Sequence, residues 1–383
     1  MIMVRIFLLL FLVLFFSCKG EKTNEQDICS LKSTGKIKSF ELDSDVKYNA
    51  FYLYTFNDNK GQEYLSFLNY KTNQILFYNL ETSKFMFKVE LDSEGPHGIV
   101  RPSGYYIKDF DNIYISSYAY GGLIKVDTLG HIVQKIPYGK TMEGYNVLPS
   151  YTPSSHPYIA PVFIDGKIFI TQPGVERFYP IKRTPLGVTI DTIAKVISNI
   201  PQTYSSILND DELGAEDLRF SRIYDKKQFV YSFYVDEDIV VAPVSHIELK
   251  RVKAKSRFIS SVTKAQKKGE QGPRSNLEVA RYGDLVYDPY REVYYRFAYH
   301  YSELDSRKNW RGNAVYGRKK FSVIILNKDF EIIGETLFPE AVYNSYVFFV
   351  HKDGLYISRD YQINYDQSED YMTFELFLLE NEV

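Results

Sequence analysis

The chain has 383 residues, of which 45% are hydrophobic and 25% are charged, so a disordered chain, a collagen and a multi-spanning membrane protein are excluded. Its 46 Lys and Arg residues nearly balance its 48 Asp and Glu residues, so the net charge does not indicate a nucleic-acid-binding protein. The 34 Tyr and 27 Phe residues favour half-buried β-strands.

The N-terminus has the pattern of an export signal. Arg5 is followed by an apolar run from Ile6 to Phe16, which is shorter than the roughly 20 residues that a membrane-spanning helix needs. The segment Phe15-Phe16-Ser17-Cys18, with a small residue before the cysteine, resembles a bacterial lipobox. In a lipobox the cysteine is lipidated and becomes the first residue of the mature chain. An uncleaved anchor and an ordinary secretory signal are the alternatives.

The sequence after this signal divides into a short tether and one domain. If Cys18 is acylated, Cys29 has no partner for an intramolecular disulfide, so the fold depends on its hydrophobic core. The predicted organisation is a lipoprotein signal peptide at 1–17, a flexible tether at 18–35 and a single domain at 36–383.

A turn rich in Asp, Asn, Gly or Lys, followed by a strand with an aromatic residue near its start, recurs six times. Aligned on the second strand residue, the repeats place in one column Tyr64, Tyr114, Phe169, Val230, Tyr294 and Tyr356. Two residues later the column contains Ser66, Ser116, Thr171, Ser232, Arg296 and Ser358. The longer spacings between the later repeats predict that loops are inserted in the third, fourth and fifth repeats, which are blades three to five of the fold described next.

Each repeat predicts four antiparallel strands. An apolar strand precedes every repeated hairpin, and in at least three cases a further hairpin follows, as in the blade of a β-propeller. The last repeat shows three clear strands, and Ile37–Leu42 is predicted to supply its fourth, which would close the ring and cover its sheet edges. The predicted fold is therefore an all-β, six-bladed β-propeller, with seven blades as the alternative.

Several segments resemble a family of Bacteroidota lipoproteins that carries a domain-of-unknown-function label. They are the lipobox, Gly95-Pro96-His97-Gly98-Ile99, the run from Tyr287 to Phe297, and Gly354-Leu355-Tyr356-Ile357-Ser358. That family is similar to six-bladed propellers of the TolB and NHL type. The resemblance implies an envelope location and the propeller, and it implies no activity.

Catalytic motifs are absent from the sequence. There is no GxSxG elbow, HExxH, P-loop or GxGxxG, and the six histidines show no metal-ligand spacing, so no catalytic residue, metal or cofactor is predicted. A propeller can still assemble a site from different blades.

The acidic residues before blade four predict a solvated loop in preference to a calcium site. They are Asp210, Asp211, Glu212, Glu216 and Asp217.

A basic run extends from Glu248 to Arg274. Behind an export signal it predicts a solvated outer strand and loop, and the alternative is an edge that meets lipid headgroups, acidic glycan or a partner protein.

The connection into each inner strand and the turn after each second strand open on one face of a propeller. The candidate ligand-binding residues at these places are His97, Arg101, His156, Arg219, Arg281 and Arg359. Arginine suits carboxylate, phosphate or sulfate, so the sequence predicts a basic channel mouth that binds an anionic group. The alternative is that these arginines pair with local acids such as Asp217, Asp284 and Asp360.

These patterns predict a lipid-anchored protein of the cell envelope, at the periplasmic or surface face of the outer membrane. Its propeller is predicted to be a non-enzymatic module that binds an envelope protein or an anionic, glycan-like ligand, and no nucleic acid. The alternative is a propeller enzyme that acts on a carbohydrate or lactone with residues from several blades.

Overall fold

The computed structural model describes residues 28–42, 53–69, 71–100, 102–117, 119–145, 158–172, 184–208, 215–262, 277–304, 316–361 and 370–382. They form six four-stranded antiparallel sheets, and each sheet is one blade of a β-propeller. The predicted six blades are confirmed.

Each blade runs from an inner strand, through a second and a third strand, to an outer strand. Blade one contains β2 (Leu53–Asn57), β3 (Glu63–Asn69), β4 (Gln74–Asn79) and β5 (Phe85–Glu90). Blade two contains β6 (Pro102–Asp109), β7 (Asn112–Ser117), β8 (Gly122–Val126) and β9 (Ile132–Pro137). Blade three contains β10 (Val162–Ile164), β11 (Lys167–Thr171), β12 (Gly187–Asp191) and β13 (Val196–Asn199).

The second half of the ring repeats this order. Blade four contains β14 (Phe220–Tyr224), β15 (Phe229–Phe233), β16 (Asp238–Ala242) and β17 (Lys250–Lys253). Blade five contains β18 (Arg281–Asp288), β19 (Val293–Tyr299), β20 (Phe321–Leu326) and β21 (Ile332–Leu337). Blade six contains β22 (Asn344–His351), β23 (Gly354–Ser358), β24 (Tyr371–Asn381) and β1 (Cys29–Glu41). The helix α1 (Tyr204–Leu208) and a 3-10 helix (Ala215–Leu218) lie between blades three and four.

The strand order defines two faces of the ring. The turns between first and second strands, and between third and outer strands, lie on what we call the lower face. The turns between second and third strands, and the connections into the next blade, lie on the upper face. The basic segment Lys250–Lys253 is the outer strand of blade four, as predicted.

The hydrophobic core lies between the blades. Buried side chains in the described residues form six clusters, and each cluster joins two neighbouring blades. The tyrosine and phenylalanine residues that dominate the composition fill these interfaces, where Phe297 stacks on Phe348 with ring centroids 4.4 Å apart. Aromatic packing therefore links each blade to its neighbours.

The N-terminal strand β1 closes the ring. It pairs antiparallel with β24 from Cys29 opposite Asn381 to Glu41 opposite Tyr371, which confirms that a strand from the N-terminus completes blade six. The predicted boundary of the tether at residue 35 is wrong, because β1 already begins at Cys29. Cys29 and Leu31 are 2% and 3% exposed in the interface of blades five and six, and the polar residues around them concealed this pairing in the sequence.

The column of small polar residues in the second strands is buried. Ser66 donates to the carbonyl of Tyr54 and lies 3.0 Å from the hydroxyl of Tyr105 in the next blade. Ser232 donates to the carbonyl of Gly283 in the next blade, at 3.0 Å. These hydroxyls therefore link neighbouring blades, and Arg296 takes their place in blade five.

Candidate functional site

The charges of three arginines act on Tyr346 at the upper face. Tyr346 belongs to the inner strand of blade six, and burial raises the pKa of its hydroxyl while the charges of Arg318, Arg219 and Arg281 lower it. Arg219 and Arg281 stand at the inner strands of blades four and five, and Arg318 lies between β19 and β20. We call these residues, with Asp284, the upper mouth.

Arg281 is held by a buried ion pair. Its Nη2 donates to Oδ1 of Asp217 at 2.9 Å, and the two side chains are 5% and 0% exposed. Asp217 lies in the 3-10 helix before blade four, so the ion pair joins blades four and five. Among the predicted acid partners, Asp217 does pair with an arginine. It is buried, which contradicts the prediction of a solvated loop at this residue; Asp210, Asp211 and Glu212 lie outside the described residues.

Asp284 receives hydrogen bonds from blades three, four and five. It is fully buried at an irregularity of β18, where pairing shifts between Tyr282 and Leu285. Its Oδ1 accepts from the amide of Tyr158 at 2.9 Å and from the hydroxyl of Tyr234 at 3.1 Å. Its Oδ2 accepts from the hydroxyl of Tyr299 at 3.3 Å.

These contacts engage both carboxylate oxygens of Asp284. Burial raises the pKa of both tyrosines, Tyr234 and Tyr299, well above the ordinary value, and the carboxylate of Asp284 acts in the same direction. Both hydroxyls therefore stay protonated and continue to donate at neutral pH. The predicted pairing of Asp284 with an arginine stays a prediction, and the hydrogen bonds from Tyr158, Tyr234 and Tyr299 add to the partners of this carboxylate.

Arg318 is buried beside this network. Its Nη2 donates to the carbonyl of His300 at 3.3 Å and also to the carbonyl of Val279. Its guanidinium lies 5.4 Å from the ring centre of Tyr299, and burial lowers its pKa from the ordinary value. Arg219, by contrast, is exposed, so it is the arginine of the upper mouth that an approaching ligand would meet first.

The structure separates the other predicted site residues from the upper mouth or does not describe them. Nδ1 of His97 accepts from the amide of Ile132 at 3.0 Å, and its ring lies 5.0 Å from that of His131, which places it against the outer strand of blade two. Nε of Arg359 lies 3.5 Å from Oε2 of Glu375. Cys18, Arg101 and His156 lie outside the described residues.

Sequence reasoning missed Arg318, Tyr234, Tyr299 and Tyr346 as members of the site. Arg318 does lie in a connection after a second strand, which is the kind of position that the analysis singled out. The tyrosines were hidden by the abundance of aromatic residues, because a sequence does not show which of them face a channel and which face a neighbouring blade.

The lower part of the channel contains a cavity of about 170 Å³ between the inner strands of blades one, five and six. Its aromatic lining consists of Tyr54, Tyr158, Tyr287, Tyr290, Phe348 and Phe349. This volume is below the roughly 300–1,000 Å³ of typical ligand pockets. At its lower end the hydroxyl of Tyr290 donates to Glu63 at 2.9 Å. We therefore place the candidate binding site at the upper mouth.

In the stretches that the structure describes, no three His, Cys, Asp or Glu side chains form a group that could hold a metal ion. A search of the same stretches finds no helix long and apolar enough to cross a membrane.

Asp360 provides a pH-dependent contribution to stability near Arg359. Burial raises its pKa from 3.8 to about 6, against hydrogen bonds from Ser358 and Thr373 that lower it. The folded state therefore binds this proton more tightly than the unfolded state, so stability is lost as the pH rises through about 6.

We expect Asp360→Asn to remove this dependence. Relative to the variant, the wild type should lose about 1 kcal/mol of unfolding free energy between pH values of about 5 and 8. Urea unfolding of both proteins at the two pH values measures the difference. Parallel stabilities would show that Asp360 has an ordinary pKa.

Comparison with known proteins identifies close and distant relatives. A family model described as a domain of unknown function (DUF4221) matches residues 30–337. The crystal structure of a DUF4221 family member from Bacteroides vulgatus is similar, with a TM-score of 0.81 and 27% identity over 94% of this chain and 100% of that chain. A protein from Bacteroides fragilis whose name describes it as exported shares the fold, with a TM-score of 0.50 and 11% identity over 94% and 98% of the two chains. No curated protein matches.

Proposed function

Because the chain belongs to the DUF4221 family of β-propellers, we propose that it is an envelope lipoprotein whose upper mouth binds an anionic group of a partner protein or glycan, without catalysis. The observation that carries this proposal is the grouping of Arg318, Tyr299 and Tyr346: the guanidinium lies 5.4 Å from the ring centre of Tyr299, and the two ring centres are 5.7 Å apart. The charges of Arg219 and Arg281 also act on Tyr346. Within the part of the mouth that the structure describes, these three guanidinium groups accompany the carboxylates of Asp217 and Asp284.

The chemistry of the mouth favours binding over acid–base catalysis. Asp217 is engaged by Arg281, and Asp284 accepts three hydrogen bonds while fully buried, so neither is presented to a substrate. The exposed guanidinium of Arg219 can form charge-assisted hydrogen bonds with carboxylate, phosphate or sulfate. The buried arginines add positive potential behind it.

Arg219→Ala tests the proposed mouth. With dextran sulfate as the polyanionic probe, we expect the variant to bind at least about tenfold more weakly, since one charge-assisted hydrogen bond contributes about 1.5–3 kcal/mol and each 1.4 kcal/mol is tenfold. Titration calorimetry at low salt measures the affinity, and quantitative capture from native membranes extends the test to natural partners. Arg281→Ala is unsuitable, because an unpaired buried Asp217 would cost about 3–5 kcal/mol of stability.

Arg359→Ala is the matched control. It removes the same charge from the same face, but at a residue that contacts Glu375 and is absent from the group around Tyr346. Equal losses of affinity in the two variants would indicate non-specific attraction and would contradict a site at the upper mouth.

We propose that Cys18 anchors the protein to the membrane through a lipid. The apolar run before Cys18 supports this location, as does the fold relative named as an exported protein. We expect Cys18→Ser to abolish labelling by a fatty-acid probe and to move the protein from the membrane fraction to the soluble fraction. A wild type that remains unlabelled would contradict the anchor.

A further inference from the structure

Each blade exposes a large apolar side chain at the same place on the lower face. The place is the turn before the outer strand or the beginning of that strand. The residues and their exposed fractions are Ile28 61%, Phe85 48%, Leu129 72%, Ile193 83%, Ile247 70% and Ile332 40%. We call this set the lower rim.

The turns of blades two and three share a sequence that presents an aliphatic residue at the tip. They read Asp127-Thr128-Leu129 and Asp191-Thr192-Ile193. Oδ1 of Asp127 accepts from the amide of Leu129 at 2.9 Å, and Oδ1 of Asp191 accepts from the amide of Ile193 at 3.0 Å. Turn tips usually carry Gly, Asn, Asp, Ser or Pro, so these fixed, exposed aliphatic residues are unusual for such turns.

Repetition distinguishes the lower rim from ordinary surface apolar residues. Single exposed apolar side chains are common and need no explanation. The described part of the upper face also has some, including Leu337 and Tyr371, but these two occupy different strand positions in their blades. The lower rim instead places one such residue in each of the six blades, so the apolar contacts surround the whole face.

The N-terminal segment enters the propeller at this same face. Strand β1 is an outer strand and begins on the lower face, and Ile28 immediately precedes it. Cys18 lies ten residues before Ile28, a length of chain that spans at most about 36 Å when fully extended. A lipid on Cys18 would therefore hold the lower face, and not the upper face, close to the bilayer.

We propose that the lower rim docks on the lipid bilayer and inserts its apolar side chains at the interface, so that the upper mouth faces away from the membrane. This inference rests on the proposed lipid anchor at Cys18. Exposed charges of both signs neighbour the rim, as Lys328 and Asp329 do before Ile332, so apolar insertion and not ionic attraction drives the contact. Docking should accordingly change little with salt.

Site-directed fluorescence tests the orientation on the lipidated full chain. The protein is reconstituted in vesicles of three parts phosphatidylethanolamine to one part phosphatidylglycerol, with an NBD probe on Leu129→Cys or Ile193→Cys. Tyr371→Cys, at a residue 41% exposed where β24 begins on the upper face, is the matched control. Cys29 is 2% exposed and leaves the introduced thiol as the reactive one for labelling. We expect blue-shifted emission and quenching by doxyl-labelled lipids at residues 129 and 193, and neither effect at residue 371.

The possible results separate docking from anchoring. Sedimentation with the vesicles together with equal, unquenched emission at all three positions would overturn docking and leave the anchor intact. A blue shift at residues 129 and 193 without quenching by the labelled lipids would mean that protein covers the rim, which also overturns the proposal. A wild type that is not lipidated and does not sediment with the vesicles would contradict the anchor and the docking that rests on it.

A second measurement tests whether the rim acts as one surface. With the probe on Ile247→Cys, the double substitution Leu129→Asp and Ile193→Asp should remove most of the lipid quenching, because two charged tips would oppose insertion. Tyr371→Asp, on the upper face, should leave the quenching unchanged. Undiminished quenching in the double variant would contradict a rim that inserts as a unit.

Discussion

A chain that lacks residues 28–42 is expected to lose its cooperative unfolding transition. Those residues form the outer strand of blade six, and they place Cys29 and Leu31 in one blade interface and Phe40 and Leu42 in the next. Four buried apolar side chains contribute about 6–12 kcal/mol at about 1.5–3 kcal/mol each. That loss is comparable with the whole stability of a typical domain, about 5–15 kcal/mol.

Circular dichroism during urea unfolding and size-exclusion chromatography measure this effect. The exposed edge of β24 should also promote aggregation. A chain that begins at Ile28 is the matched control, because it removes the preceding segment and keeps β1 intact. A chain starting at Val46 that unfolds as cooperatively as the parent would contradict closure of the ring by β1.

Replacement of Arg296 is expected to give the largest effect of any single substitution considered for this protein. Arg296 is fully buried in β19, where the other five blades carry Ser or Thr. Its Nη1 donates to the carbonyls of Glu237 and Ala254 at 2.7 and 2.8 Å. Its Nη2 donates to the carbonyl of Asp236 at 2.6 Å, so the side chain of blade five joins the backbone of blade four.

The guanidinium is bound on its other edges as well. Nε donates to the hydroxyl of Ser232 at 3.0 Å, and the charge lies 3.9 Å from the ring centre of Tyr282. Burial lowers the pKa of Arg296 to about 10, so it remains charged at neutral pH. The protein therefore keeps a buried cation that is held by carbonyl dipoles, a hydroxyl and an aromatic face in place of a carboxylate.

Arg296→Met should lower the free energy of unfolding by about 4 kcal/mol or more, because each buried carbonyl left without a donor costs about 1–3 kcal/mol. Arg251→Met is the matched control: that guanidinium is 44% exposed and pairs with Asp236 and Asp238 near the same loop. We expect the control to lose about 1 kcal/mol or less. Urea unfolding of both variants measures the two losses. Equal small losses would contradict the proposed stabilising role of the hydrogen bonds from Arg296 to the backbone of blade four.

Arg296 also illustrates how far a sequence predicts the contacts between blades. Arg296 stands out in the aligned column of hydroxyl residues, so its position was visible as an exception. Its role was not visible, since the carbonyls of Asp236, Glu237 and Ala254 become its partners only when blades four and five pack together. Asp217 and Arg281 are likewise 64 residues apart, and no local pattern joins them.

The repeated hairpins predicted the blades, six of them with seven as the alternative, and the closure of the ring by an N-terminal strand. These features follow from the alternation of turns and apolar strands, which acts within a few residues and leaves a regular pattern. Only the packed blades reveal where β1 begins, which arginine charges act on Tyr346, and that Asp284 accepts hydrogen bonds from tyrosine hydroxyls and an amide. Those outcomes depend on side chains from different blades that compete for the same buried space and hydrogen-bond partners, and contacts between distant blades leave no periodic trace in the chain.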